Sequence, residues 1–372
     1  MDREFVFEEG RFFRSCHAVT LLPVAGGLLA AWFAGSYESC EDTAIWGAIR
    51  GESGWSEPKV LAKFDASPHW NPVLFRLTER HIMLFFKVGF EIPKWKTFVA
   101  ESHDEGATWS PPREMVPDDL SGGRGPAKNK PLRLANGDIL APGSTECHGR
   151  WKAFVDCSKD NGVTWQRSDD ICDGSLQIIQ PALWESSPGE ISMLLRSQNG
   201  FAARAESHDH GVTWTPPRLC TLPNNNSGLD VIWLADRKIL LVACNPVSQM
   251  GKRSPLALIG SGDNGQSWRQ LLVLEDENVL AGDCRKLTGG EFSYPAIIRD
   301  GDMIWMGYTW HRRKIAMRSL SLATIDALWA NASPLATPWL SNNDNSHVRL
   351  DLDQSVSLRV QESTFQNNKR IG

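Results

Sequence analysis

The chain is punctuated by short apolar runs, each flanked by turn-forming residues. LLAAWFAG (28–35), HIMLFFKVG (81–89), ISMLLRSQ (191–198), KILLVACN (238–245) and MIWMGYTW (303–310) have the length of strands. Their Gly, Asn, Asp and Ser neighbours predict β-hairpins. Helical periodicity is confined to SLATIDALWANAS (321–333). Between the runs one phrase recurs: SHDEGATW (102–109), SKDNGVTW (158–165), SHDHGVTW (207–214) and SGDNGQSW (261–268) share the pattern S-x-D-x-G-x-[ST]-W. A worn copy survives as Gly54–Trp55 in RGESGWSEPKVL. The tryptophans Trp55, Trp109, Trp165, Trp214 and Trp268 stand 54, 56, 49 and 54 residues apart.

A period of about 50 residues with several short strands in each predicts a β-propeller of four-stranded blades. Five marked blades and a last set of strands from about Phe292 to Ser321 make six. The expected fold is therefore all-β, a six-bladed β-propeller over residues 1–335, with hairpins built on the repeated motif. Its N-terminal strand is expected to complete the last blade and leave no open sheet edge. The segment 336–372 is polar and lacks the blade pattern, and is expected to be an extension, partly disordered or strand-like. In each repeat, Asp104, Asp160, Asp209 and Asp263 should accept hydrogen bonds from turn N–H groups. The Gly should take a positive φ, and the Trp should pack over the turn. A residue type needed four times is scaffold, so a metal-binding or catalytic role for these aspartates is set aside.

Composition narrows the functional classes. A net charge of −5 argues against a nucleic-acid surface, and no apolar stretch reaches the length of a membrane span. The eight cysteines, Cys284 among them, are scattered with no zinc-type spacing. They read as buried thiols of a reducing compartment. The start, MDREFVFEEGRFF, lacks the pattern of a signal peptide. A cytoplasmic location is expected, with no cofactor and no metal.

The S-x-D-x-G-x-[ST]-W motif at blade spacing resembles the Asp-box, or BNR repeat, of the sialidase (neuraminidase) superfamily. The order of the other motifs is most similar to its branch of predicted sialidase-like proteins. That resemblance implies three arginines holding a substrate carboxylate, a Tyr nucleophile activated by a Glu, and an Asp acid/base. Tyr294, in GEFSYPAIIRD, matches the nucleophile position. Arg196, in ISMLLRSQNG, and Arg253, in QMGKRSPLALIG, match the second and third arginines. In RFFRSCHAVTLLP the first-arginine position falls on Ser15, and Arg14 fits only through a one-residue bulge. The Glu position falls on Gln180 in IIQPALWESS, with Glu185 five residues on, and an amide cannot serve as a base. Asp42, in AGSYESCEDTAIW, matches the acid/base, with Glu38 as runner-up and Glu41 between them.

Further polar residues open successive inner strands: His17, His69, Lys128 and Lys130, Asn226 and Asp230. Inner strands converge at one end of a propeller channel, so these residues are expected to ring one pocket. Three functions remain open. The first is an exo-acting, sialidase-like glycoside hydrolase on an acidic sugar. The second is a lyase using His17 or His69 with Tyr294 on a uronate. The third is a glycan-binding propeller that has lost turnover. In each the partner is a carbohydrate, anionic in the first two.

Overall fold

Each of the quoted apolar runs becomes the second strand of an antiparallel blade, covered on both faces by its neighbours. Strand His81–Val88 is buried at every position after the first, which is why the run shows no polar alternation. The computed structural model describes residues 3–277 and 290–335. The expected extension over 336–372, and Cys284, lie outside these.

Six sheets follow one another along the chain. Blade one runs from strand Ser15–Val24 to Lys59–Ala62, and blade two from His69–Thr78 to Arg113–Glu114. Blade three spans Leu132–Arg133 to Gln166–Arg167, and blade four Ile178–Ser187 to Arg218–Pro223. Blade five spans Asp230–Leu234 to Arg269–Glu275. Blade six holds Phe292–Asp300, Met303–Trp310 and Lys314–Ser321, and its fourth strand is Glu4–Phe5 from the other end of the chain. Glu4 pairs with Met317 and Phe5 with Ala316, so the ring closes as its sequence predicts. The helix Leu322–Asn331 starts at Ser321, whose hydroxyl caps Thr324 N–H. Ser333–Pro334 then pairs along the outer edge of blade five.

The repeated motif ends the third strand of blades two to five. In SHDEGATW the Asp104 carboxylate accepts from Ser102 Oγ (2.8 Å), Thr108 N (2.9 Å) and Thr108 Oγ1 (2.6 Å). Asp160, Asp209 and Asp263 repeat these bonds in their own copies. Gly106 takes φ +85° and faces Leu29 of the preceding blade so closely that a Cβ would stand 2.8 Å from its Cδ2. A Cβ at this position would require the Leu29 side chain to shift, and the positive φ would strain it. The indole N–H groups of Trp109, Trp165 and Trp214 donate to the carbonyls of Gly106, Gly162 and Gly211. The motif is thus a hairpin lock that also sets blade-to-blade contact.

Four inner strands break register once near their starts. The break falls between His17 and Thr20, Trp70 and Val73, Ile179 and Ala182, and Ser293 and Ala296. Each bulge contains one non-glycine residue in the left-handed region: Ala18, Asn71, Gln180 and Tyr294, with φ of 58°, 44°, 54° and 51°. Bulges re-aim side chains, and strained backbone of this kind clusters at functional sites.

The cysteine expectation needs correction. All seven described cysteines are free, but only Cys16 and Cys244 are buried, and Cys172 is exposed, just after Ile171, which bridges to Ala153 of blade three. Among the described residues no helix is long and apolar enough to cross a membrane.

Candidate functional site at the mouth of the channel

Tyr294 is the meeting point. Its left-handed bulge in blade six turns the ring across the channel, where it is only 8% exposed. Arg196 Nη1, from blade four, donates to Tyr294 Oη at 2.8 Å, and Gln180 Nε2 donates to it at 3.3 Å. Gln180 Oε1 in turn accepts from Arg196 Nη1 at 3.4 Å. Arg196 is oriented from behind by Asn226, whose Oδ1 accepts from Nε at 2.6 Å, and its guanidinium lies 5.4 Å from the Trp151 ring. The Arg253 guanidinium stands 5.6 Å from the Tyr294 ring and Lys128 Nζ 6.0 Å. The phenol oxygen therefore receives two hydrogen bonds inside a ring of cations, an arrangement that favours negative charge developing on it.

His17 packs beneath this group, its ring centroid 4.1 Å from that of Tyr294, while Nδ1 bonds with Thr309 Oγ1 at 2.9 Å. Burial pushes its pKa well below the usual histidine value, and Arg312, Arg253, Lys128 and Arg196 push in the same direction. The imidazole is neutral in the folded protein. Burial also brings Lys128 down to about 8, against the opposing pull of Asp230. Lys128 Nζ is tied to the backbone carbonyls of Pro295 and Leu229.

Sequence reading missed Arg312. It sits in the tight turn Trp310–Lys314 of blade six, with φ 56°, and its backbone carbonyl accepts from Cys16 N. Its Nε donates to Glu291 Oε1 at 2.9 Å, and the same oxygen accepts from Arg253 Nη1 at 2.6 Å. Burial would raise the Glu291 pKa, but the two arginines and the Ser293 hydroxyl outweigh it and hold the carboxyl ionised. Arg196, Arg253 and Arg312 thus form the cationic set around Tyr294. Glu146 was missed too. Its strand partner is Trp151, on whose ring Arg196 rests, and burial raises its pKa against the lowering pull of Arg196. The one available signal for Arg312 was WHRRK at a hairpin position, where two adjacent arginines give no hint of which turns inward.

Of the other expected site residues, some lie outside the Tyr294 cluster, some serve as structure, and Asp42 and Glu38 lie on a rim loop. Arg14 is exposed, precedes the first inner strand Ser15–Val24 and reaches Tyr37 Oη at 3.5 Å, and the bulge of that strand forms at Ala18, not at Arg14. His69 is fully buried on the Phe86 ring, with Nδ1 held 2.8 Å from the Ser67 carbonyl. Lys128 and Lys130 precede the short strand Leu132–Arg133 instead of alternating along it. Lys130 spans the channel to Asp230, 2.8 Å from each carboxylate oxygen, while Asp230 Oδ2 accepts from Ile297 N at 2.9 Å. That pair ties blades three, five and six together. Asp42 is exposed and closes its own loop, Oδ2 accepting from Ser36 N (2.9 Å) and Ser36 Oγ (2.6 Å). Glu38, in the same loop, forms an ion pair with Arg312. The loop is therefore docked on the rim of the site.

Comparison with known proteins follows the same lines. The model of the BNR repeat-like domain matches residues 26–308. No curated protein matches the chain at a significant level. Among solved structures, a protein of unknown function from Dyadobacter fermentans superposes with a TM-score of 0.69 at 15% identity, over 86% of this chain and 98% of that one. The Trypanosoma rangeli sialidase gives 0.65 at 14% identity, over 87% of this chain and 58% of its own length. The NanB sialidase of Streptococcus pneumoniae gives 0.66 at 12% identity, covering 86% and 71%. At such identities these likenesses speak to fold, and this chain spans little more than half of the trypanosomal enzyme.

Proposed function

The chain belongs to the BNR repeat-like family, and on that footing we propose that it is an exo-acting, sialidase-like glycoside hydrolase on a sugar bearing a carboxylate. One observation carries the reading: Tyr294 Oη takes hydrogen bonds from Arg196 and Gln180 within an arginine-lined mouth. Planar guanidinium groups suit a carboxylate, and Arg253 uses only Nη1 among the described residues, leaving further donors for substrate. With the carboxylate so held, the phenol oxygen, its proton passed to solvent, attacks the anomeric carbon as the glycosidic bond breaks and the acid/base protonates the departing alcohol; water then releases the sugar from the tyrosine. The acid/base assignment goes to Asp42, on the loop that Glu38 docks against Arg312. Gln180 cannot take the phenol proton. Its N–H instead supports the charge that develops on the oxygen.

The lyase reading keeps one supporting observation, the neutral His17 packed on Tyr294. Its 2% exposure and its bond to Thr309 fit a positioning role better than contact with substrate. A panel of aryl glycosides (sialoside, uronide and rhamnoside) tests the proposal on the wild-type protein. Release of the aryl group from a carboxylate-bearing member, without absorbance of an unsaturated uronate, is the expected result. Unsaturated product would replace this reading with the lyase. Binding without turnover across the panel would leave only a glycan-binding propeller.

A further inference from the structure

We propose a transition-metal site, of the class that takes zinc, at the far end of blade two, built from His81, Glu101 and His103. Strand His81–Val88 pairs with strand Lys96–Ser102 in the register Ile82↔Ser102 and Met83↔Glu101. That register sets His103, the second residue of SHDEGATW, beside His81. It also leaves Glu101 on the same face, two residues earlier. The imidazole centroids of His81 and His103 lie 4.4 Å apart. His81 Nε2 is 3.1 Å from Glu101 Oε2, and one ligand atom from each of the three residues falls within 4.8 Å of the others.

Two imidazoles and a carboxylate are the donor set of open zinc sites, with the fourth position left for water. Zinc–ligand bonds near 2.0–2.1 Å require donors about 3.4 Å apart, so the widest donor pair must close by up to about 1.4 Å. Exposed His103, on a turn, can supply that movement by side-chain rotation. Glu101 is already oriented: Arg113 Nη2 donates to its Oε1 at 2.8 Å, leaving Oε2 for the ion. The same guanidinium opposes a nearby cation, which predicts that Arg113 weakens the site it orients. The third copy of the motif is a natural control. His208 occupies the His103 position, and its Nδ1 lies 2.5 Å from Glu190 Oε2, with no second imidazole in such a cluster among the described residues.

The experiment is isothermal titration of the tag-free, chelator-treated full chain with zinc chloride. One ion per chain at micromolar affinity is expected, weakened about tenfold or more in His103→Ala and Glu101→Gln. His208→Ala should bind as wild type does, and Arg113→Ala should bind more tightly. The proposal is overturned if the wild-type chain takes up no zinc at about 100 μM, or if His103→Ala binds as tightly as wild type. Neither result depends on turnover at Tyr294.

Discussion

At the scale of single residues the site rests on a few re-aimed side chains. Arg312 is expected to bind the substrate carboxylate, so Arg312→Ala should cost about 10–100-fold in kcat/KM on the carboxylate glycoside, the worth of a charged hydrogen bond. It should leave a neutral ester of the same sugar unaffected. Gln180→Glu would place a base beside Tyr294 Oη, and turnover should rise by about a hundredfold; a fall would show that the amide is the better partner. His17 gives a pH test. Its folded pKa lies well below 6.5 because of burial and four cationic neighbours, so below about pH 6.5 the unfolded chain binds a proton the folded chain does not. Stability from His17 is therefore full above that value and lost as pH falls. In urea unfolding from pH 7.5 to 5.5, His17→Gln should reduce the slope of stability against pH by about one proton. Tyr294, Arg196, Arg253 and Gln180 could be located in the sequence because the family resemblance names a role for each, and the Asp-boxes and strand starts supply the register. Arg312 could not, since its inward direction comes from a positive φ in the tight turn Trp310–Lys314 and from contacts across the ring closure. Lys130 and Asp230 were placed near the channel by the same reasoning, but their mutual pairing is a long-range contact that no local pattern records.

At the scale of elements, the Asp-box is a lock distinct from the chemistry. Hydrogen bonds from Thr108 and Ser102 bring the Asp104 carboxyl down to about 2. Its contribution is thus present above the ordinary carboxylate range and lost only as pH falls through about 2. Asp104→Ala should lower the melting temperature while leaving kcat/KM unchanged; a large loss of kcat/KM in a folded variant would contradict the scaffold role. This level was the most legible in the sequence. Asp, Gly and Trp each do local work in one hairpin, so their spacing shows without tertiary information. Bulges are different. SCHAVT, HWNPV, IIQPA and FSYPA share no common mark: Asn takes the left-handed region readily, whereas Ala, Gln and Tyr do not, and a Pro follows three of the four residues but not Ala18.

At the scale of the whole molecule, closure joins the two ends of the propeller. Phe5 packs edge-on against Trp310 at 5.5 Å, and the Arg3 guanidinium lies 3.9 Å from the same indole. Removing residues 1–6 should lower the melting temperature by a few degrees and weaken the site, because blade six carries both Tyr294 and Arg312. The ring is what brings Arg196 of blade four to Tyr294 of blade six, and the central claim is that this meeting is catalytic. Tyr294→Phe tests it most directly, since it removes one oxygen and leaves the ring packed on His17. Turnover of a chromogenic aryl sialoside should fall about a thousandfold or more, with the melting temperature unchanged. A Tyr294→Phe protein that cleaves the sialoside at the wild-type rate would contradict the account.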